Sequence, residues 1–413
     1  MLRHIYIGMR PAKGRLSETV AQICVRMRAS AWLLRKKVAK RVSEISPLVA
    51  VDRAIGEFRR ALPVMITDPP LPGACWLALP AELAQDDTLA TLGRLGADVP
   101  QLVLTHNRAR TLKIRLYTPE IVLLPQQQWG DAAAAREIAD PSRDLEHPLR
   151  GPFTAARDLR GAGWMAAVKL AKLAQLLPAA LVVQLPDMDA EAQQAFLRQH
   201  DLLRVGADAI LDYDMAAANA LVQVTGARVP LAGAENARLI AFRPADGGIE
   251  HLAIVIGDPK RGTPVLARLH SECFTGDLIG SLKCDCGEQL RGAIAQIGEA
   301  GSGILLYLAQ EGRGIGLINK LRAYGLQDQG FDTNEANERL GFEVDERVFL
   351  PAARMLALLG FSQVRLMTNN PDKVAGLERL GIDVVERVPH KFPSNEHNRF
   401  YLSTKRDKSG HLL

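Results

Sequence analysis

Arg268-Leu-His-Ser-Glu-Cys273 and, after ten intervening residues, Cys284-Asp-Cys286 hold three of the chain's five cysteines within fourteen positions, while Cys24 and Cys75 lie far upstream. Thiols this close cannot staple a large domain, and an odd trio makes a poor disulfide set. Three thiolates are, however, the ligands a zinc ion needs when its fourth position is kept for water. A Cys-x-Cys pair projects two sulfurs from one tight turn, and Cys273 can approach from a neighbouring segment. Spacing alone leaves other readings open: a structural site with its fourth ligand elsewhere, plain buried thiols, or iron in place of zinc.

The residues downstream of the cysteines are arranged for anion chemistry. Ile304 to Leu308 is a continuous apolar run that reads as a buried strand, and Gln310-Glu-Gly-Arg-Gly-Ile-Gly316 follows it directly. Glycines there let backbone N–H groups approach an anion, and Arg313 can add a bidentate clamp. A tight strand-to-helix turn explains the same glycines, and the run is neither a Walker nor a dinucleotide fingerprint. Asp345-Glu-Arg347 reads as a short extended segment with residues 345 and 347 on one face, suited to a phosphate or to a surface ion pair. Thr368-Asn-Asn-Pro-Asp-Lys373 opens a helix after a strand, where Lys373 and backbone amides can meet another phosphate.

Outward from this region the chain alternates helix and strand. The first half predicts a helix over 51–62, a strand over 63–68, a Pro/Gly loop at 69–73, a helix over 165–177, a strand over 181–185 and a helix from an Asp189 cap to about His200. The second half predicts strands over 251–256 and 264–270, a helix over 288–300 stopped by Gly301, the strand 304–308 and a helix marked by Leu317, Leu321 and Tyr324. A helix over 355–359, a strand over 364–367 and a helix over 373–380 follow. The fold class is α/β, with two α/β domains: a basic extension over 1–47, a first domain over 48–215 and a second over 225–413.

Composition narrows the class. Five cysteines in 413 residues argue against a disulfide-built secreted protein, and no apolar run reaches the roughly 18 residues of a membrane span, so a cytoplasmic protein without membrane partners is expected. The net charge of +5 is uneven: residues 1–41 carry eleven Lys/Arg against the single acid Glu18. Such a segment suits a nucleic-acid arm, a transit-like leader or a solvated extension. A solvated extension is expected, with no nucleic-acid partner.

Taken in order, Arg268 to Asp277, Cys284-Asp-Cys-Gly287, the Gln310 to Gly316 run, Leu326-Gln-Asp-Gln-Gly-Phe-Asp-Thr333, Asp345-Glu-Arg347 and Thr368-Asn-Asn-Pro371 resemble GTP cyclohydrolase II over about 225–413. Gly410-His-Leu-Leu413 at the carboxyl end fits the same family. The resemblance implies one zinc per subunit on Cys273, Cys284 and Cys286. It implies guanine-nucleotide contacts from Arg268, Leu269, His270, Ser271, Glu272 and Gln289, and from Glu311, Gly312, Arg313, Thr333, Thr368 and Lys373. It gives Tyr324 to the ring-opening chemistry, Asp345 to proton acceptance and Arg347 to the α-phosphate. The implied reaction converts GTP to a diaminopyrimidinone ribosylamino phosphate, formate and pyrophosphate, the first step of riboflavin biosynthesis. Magnesium assists the phosphates, and a homodimer is implied. A guanidinium is always protonated and a poor nucleophile, so Arg347 reads better as neutralising phosphate charge with Asp345 orienting it. One departure is Ala309, where the family usually has arginine. A non-catalytic guanine-nucleotide sensor is the competing reading.

Residues 48–215 resemble, more faintly, 3,4-dihydroxy-2-butanone 4-phosphate synthase, through Ala54 to Asp68, His147-Pro-Leu-Arg150, Arg160 and Ala166 to Ala171. That synthase carries an acidic magnesium-binding run after its first strand, whereas Asp68-Pro-Pro-Leu-Pro-Gly-Ala-Cys-Trp76 here keeps one carboxylate. Its Gly-His-Thr-Glu-Ala motif reads Ala162-Gly-Trp-Met-Ala166. Hard cations need several oxygen ligands, so a catalytically inactive relative is expected.

Overall fold

Alternating side chains decide the first half. In Cys75-Trp-Leu-Ala-Leu-Pro80 every residue is buried, and Cys75, Leu77 and Leu79 enter one core while Trp76 and Ala78 enter another, as the two-residue strand period requires. The computed structural model describes residues 45–148, 150–393 and 396. Cys24, nearly all of the basic extension, and Gly410 to Leu413 lie outside the described residues.

The first sheet comprises β1 (Val64–Thr67), β2 (Cys75–Pro80), β3 (Gln101–Thr105), β4 (Ile121–Pro125), β5 (Ala179–Gln184) and β6 (Leu203–Gly206), in the order β4-β3-β5-β2-β1-β6. Only β1 and β6 pair in parallel. Helices α1 (Pro47–Arg59), α2 (Asp86–Leu95), α3 (His106–Thr111), α4 (Ala132–Ala139), α5 (Gly163–Leu173), α6 (Ala190–His200), α7 (Ala207–Leu211) and α8 (Tyr213–Asn219) surround it.

The second sheet comprises β7 (Leu221–Arg228), β8 (Ala237–Pro244), β9 (His251–Ile256), β10 (Val265–Ser271), β11 (Gly303–Leu308), β12 (Gln363–Met367) and β13 (Asp383–Val388), ordered β13-β12-β10-β11-β9-β8-β7. Strands β10 to β13 run parallel, whereas β7, β8 and β9 pair antiparallel at the other side. Its helices are α9 (Cys286–Glu299), α10 (Leu317–Asp328), α11 (Thr333–Arg339), α12 (Leu350–Leu359) and α13 (Pro371–Arg379). The loops leaving the carboxyl ends of β10, β11 and β12 fall together, which is where open α/β sheets mount ligands.

From Pro47 onward the chain is one compact unit. One apolar cluster joins Leu102, Leu104 and Leu181 of the first sheet to Ile315, Ala323, Leu326, Leu340 and Phe342 of the second half. Strand β9 lies where the sequence puts it, and β10 is displaced by one residue. Helix α1 begins four residues before the expected start, and Asp189 caps α6 by accepting from the Ala192 N–H. Asp345-Glu-Arg347, expected in a short extended segment, lies in an irregular stretch over 343–349 outside both sheets.

Candidate active site and metal centre

Cys273 follows β10, Cys284 precedes α9 and Cys286 is the first residue of α9. Their sulfurs all lie within 4.8 Å of one another, with Cys273 Sγ and Cys284 Sγ 3.7 Å apart. Two thiolates at about 2.3 Å from a tetrahedral zinc would stand about 3.8 Å apart, so the spacing fits. Gly276 forms the floor of this turn. A Cβ there would fall 2.9 Å from Cys284 Sγ and 3.1 Å from Cys273 Sγ, so a side chain would collide with the ligand atoms.

The trio is braced from outside. Asp277 accepts from the Cys273 N–H (3.0 Å) and the Tyr307 hydroxyl (2.9 Å), and pairs with His270 Nε2 at 3.0 Å. Lys320 Nζ, on α10, stands 3.0 Å from Cys273 Sγ and 2.9 Å from Glu311 Oε1. The thiols of Cys284 and Cys286, together with Lys320, hold Cys273 far below the usual thiol range. Burial opposes the charge of Lys320, but Cys273 and Glu311 outweigh it and raise its ammonium above the ordinary lysine value. The Cys273 sulfur in turn raises the Cys284 and Cys286 thiols, so one thiolate faces the Lys320 cation and the other two sulfurs would give up their protons to a divalent ion on binding it.

A cavity opens beside the sulfurs. All twelve expected nucleotide contacts line it: Arg268 to Glu272 from the end of β10, Gln289 from α9, Glu311 to Arg313 from the glycine loop, Thr333, Thr368 and Lys373. Arg268 is buried and donates to the Met367 carbonyl (2.8 Å) and to Gln289 Oε1. Lys373 donates to the Leu269 carbonyl at 2.9 Å. The glycine loop needs its glycines: Gly312, Gly314 and Gly316 have φ of 63°, 96° and 86°, and Arg313 itself sits at 62°. Its guanidinium donates to the Val344 carbonyl at 3.2 Å.

Of the three expected catalytic residues, Tyr324 and Arg347 line the cavity and Asp345 stands behind it. Asp345 takes Arg347 in a two-pronged pair, Nε to Oδ1 at 2.8 Å and Nη2 to Oδ2, and the Arg347 N–H also donates to Oδ1 at 3.0 Å. Burial would raise the Asp345 carboxyl, but Arg347 outweighs it and holds the group below the usual carboxylate range. The Tyr324 phenol is pushed up by burial, and Lys283 and Lys320 stand 5.1 Å and 5.8 Å from its ring centre. Lys320, Asp277 and Tyr307 escaped the sequence reading. Asp277 lies inside the Arg268 to Asp277 motif without an assigned role there, and Lys320 and Tyr307 carry no local signal that ties them to Cys273. Ala309, the departure from the family pattern, donates its N–H to His251 Nδ1 at 3.1 Å.

Residues 222–389 match the family model of GTP cyclohydrolase II. GTP cyclohydrolase-2 of Azospirillum brasilense is 52% identical over 364 residues, covering 88% of this chain and 94% of that protein. The chain belongs to the GTP cyclohydrolase II family. It is accordingly a GTP cyclohydrolase II enzyme of riboflavin biosynthesis. GTP cyclohydrolase-2 of Shigella boydii is 57% identical over 175 residues, 42% of this chain and 89% of that protein. Riboflavin biosynthesis protein RibBA of Synechocystis is 44% identical over 255 residues, 60% of this chain and 46% of that protein. Among solved structures, a two-domain 3,4-dihydroxy-2-butanone 4-phosphate synthase from A. baumannii is 15% identical with a TM-score of 0.35, covering 83% of this chain and 99% of that one. Among the described residues no helix is long and apolar enough to cross a membrane.

Proposed function

We propose that the cyclohydrolase activity is zinc-dependent, with the metal on Cys273, Cys284 and Cys286, and that it converts GTP to the diaminopyrimidinone ribosylamino phosphate, formate and pyrophosphate. The observation that carries this reading is the sulfur cluster opening directly onto the cavity lined by Arg268, Gln289, Arg313, Tyr324 and Arg347. When bound, zinc brings the pKa of a coordinated water from 15.7 toward about 7, which makes a nucleophile available at neutral pH.

The protein's own groups divide the remaining work. Burial holds the proton on the Tyr324 phenol, so its hydroxyl serves as a hydrogen-bond donor as the guanine imidazole opens. Arg268, pinned on two sides, presents a fixed cation to the nucleotide. Arg347 neutralises charge at the phosphates, with Asp345 fixing its orientation. Glu311 is engaged by Lys320 and by the Phe274 and Gly312 N–H groups, which leaves Glu272 as the less encumbered carboxylate at the cavity. Magnesium would therefore depend mainly on phosphate oxygens.

The first domain, 48–215, is proposed to lack synthase activity. The one carboxylate kept in the stretch after its first strand, Asp68, accepts from the Ala162 N–H at 2.8 Å. The Trp76 ring fills the space beside Gly163, where the synthase motif has histidine. His147 is exposed. The Azospirillum match, at 364 residues, is far longer than 222–389, and that relative is named for the cyclohydrolase alone. Among the described residues Cys75, Cys273, Cys284 and Cys286 form no disulfide, which suits a reducing, cytoplasmic compartment. A homodimer is proposed, and the exposed Leu278, Ile279, Leu282, Ile318 and Leu321 offer apolar surface that such an interface would cover.

The test is incubation of zinc-replete protein with GTP and magnesium, measuring formate and pyrophosphate beside Cys284→Ser. Stoichiometric formate that disappears in the variant supports the reading. GTP binding with neither product would replace it with the sensor reading.

A further inference from the structure

The segment that carries Asp345 and Arg347 is held from the opposite half of the molecule. Phe342 is 1% exposed and shares its core with Leu102 and Leu104 of β3. Thr105 Oγ1 donates to the Gly341 carbonyl at 2.7 Å, and Asn107 Nδ2 to the Phe342 carbonyl at 2.8 Å. Gly341, at a φ of 90°, lets this approach happen, since a Cβ would fall 2.9 Å from both Pro178 and Thr105 Oγ1. The segment therefore leaves the first domain's core before it reaches the cavity.

Glu346 fastens its middle. Lys172 Nζ, from α5 of the first domain, stands 2.6 Å from Glu346 Oε1, with each side chain about one-fifth exposed. The same oxygen accepts from the Glu343 N–H at 2.9 Å, and the Glu346 N–H donates to the Arg313 carbonyl at 3.2 Å. One residue thus ties the first domain, the turn of the segment and the glycine loop together. Its two chain neighbours are Asp345 and Arg347. Helix α10, which carries Lys320 and Tyr324, is braced in the same way: Arg322 pairs with Glu82 at 2.8 Å, and Asn319 Nδ2 donates to the Gln175 carbonyl at 3.0 Å.

We propose that the first domain is a fixed platform for the cyclohydrolase site, and that Lys172 is a positioning residue which, through Glu346, sets where Asp345 and Arg347 stand. This rests on the proposed role of Arg347 at the phosphates. Partly buried, hydrogen-bonded ion pairs hold geometry better than surface pairs do, and small misplacements at a reacting centre cost large factors in rate. A domain without chemistry of its own would on this account still act on the reaction, through the position of two side chains.

Full-length wild type, Lys172→Met, Lys172→Arg and Lys169→Met are compared. Lys169 pairs with Asp214, inside the first domain, and serves as the control. Two readouts are taken: hydrogen exchange of the peptide spanning 341–349, and steady-state formate release from GTP. Expected for Lys172→Met is faster exchange across 343–347 and a kcat lowered about tenfold with KM within twofold. Lys172→Arg should keep at least half of the wild-type kcat, and Lys169→Met should match wild type in both readouts. Unchanged exchange in Lys172→Met overturns the clamp, and faster exchange with unchanged kcat overturns the positioning role. Wild type that releases no formate overturns the proposed function instead, and exchange then still decides the clamp.

Discussion

Lys320 Nζ stands 3.0 Å from Cys273 Sγ, forty-seven residues away in the chain, and shares its charge with Glu311. A cation against one thiolate lowers the electron density that this sulfur can give a metal and fixes its direction. Lys320→Met should remove both effects. Groups that brace metal ligands typically cost about 10–100-fold in affinity or activity when lost. Zinc retention against a graded chelator should therefore shift by about that factor, with GTP turnover falling in parallel. Unaltered zinc retention would confine Lys320 to a role in the cavity.

Asp345 and Arg347 act as one unit if the first orients the second. Asp345→Asn keeps the shape but releases the two-pronged charge pair, and Arg347→Met removes the cation itself. Each should lower kcat by about tenfold or more, since charge-assisted bidentate pairs are worth roughly twice a neutral hydrogen bond. The double variant should be little worse than Arg347→Met, because residues with a shared task are not additive. Additive losses in pyrophosphate release would mean that Asp345 has separate proton chemistry.

Local pattern made much of this molecule legible, and long-range packing accounts for what it hid. His251–Ile256 announced itself as a compact apolar strand, and the three cysteines announced their centre through spacing and residue type. Strand β2 did not, because Cys75 to Pro80 is apolar throughout, buried on both faces and ended by proline, so it lacks alternation. Strand β7 failed for the opposite reason, since seven of its eight residues are exposed. Lys320 reads in sequence as one more helix cation. Nothing local says that it points at Cys273. The ties from Thr105, Asn107 and Lys172 to residues 341–346 join positions more than 170 residues apart, and no single-chain periodicity encodes them.

The Trp76 ring makes a direct prediction about the first domain. A Cβ at Gly163 would fall 2.3 Å from the ring, so even alanine forces a fully buried indole to move. Gly163→Ala should destabilise the protein by about 1–3 kcal/mol, the usual cost of overpacking. Gly163→His, which restores the residue of the synthase motif, should destabilise it more and still form no dihydroxybutanone phosphate from ribulose 5-phosphate. Thermal melting and a product assay read the two effects separately. Product from Gly163→His would refute the view that the carboxylates were the decisive loss.

Buried histidines, His251 and His390 among them, set an acid limit on stability. His251 is held down to about 4 by burial, and its Nδ1 accepts the Ala309 N–H; His390 is also held at about 4, by burial and then by Arg268. Both are neutral in the folded protein and titrate near 6.5 when it unfolds. Above pH 6.5 neither state binds the extra proton, so stability there does not depend on these groups. Between pH 6.5 and 4 the unfolded chain takes up protons that the folded protein refuses, and stability falls as pH falls. Each histidine contributes at most about 3 kcal/mol across that window. Urea midpoints should therefore stay level from pH 7.5 to about pH 6.5 and drop from there to pH 4.5. His251→Asn, which keeps a side-chain acceptor near the Ala309 N–H without an ionisable ring, should make the slope shallower and leave the shares of His390 and of His270, whose imidazole burial also holds below its ordinary value. An identical slope in the variant would show that His251 takes up its proton in the folded protein as readily as in the unfolded chain.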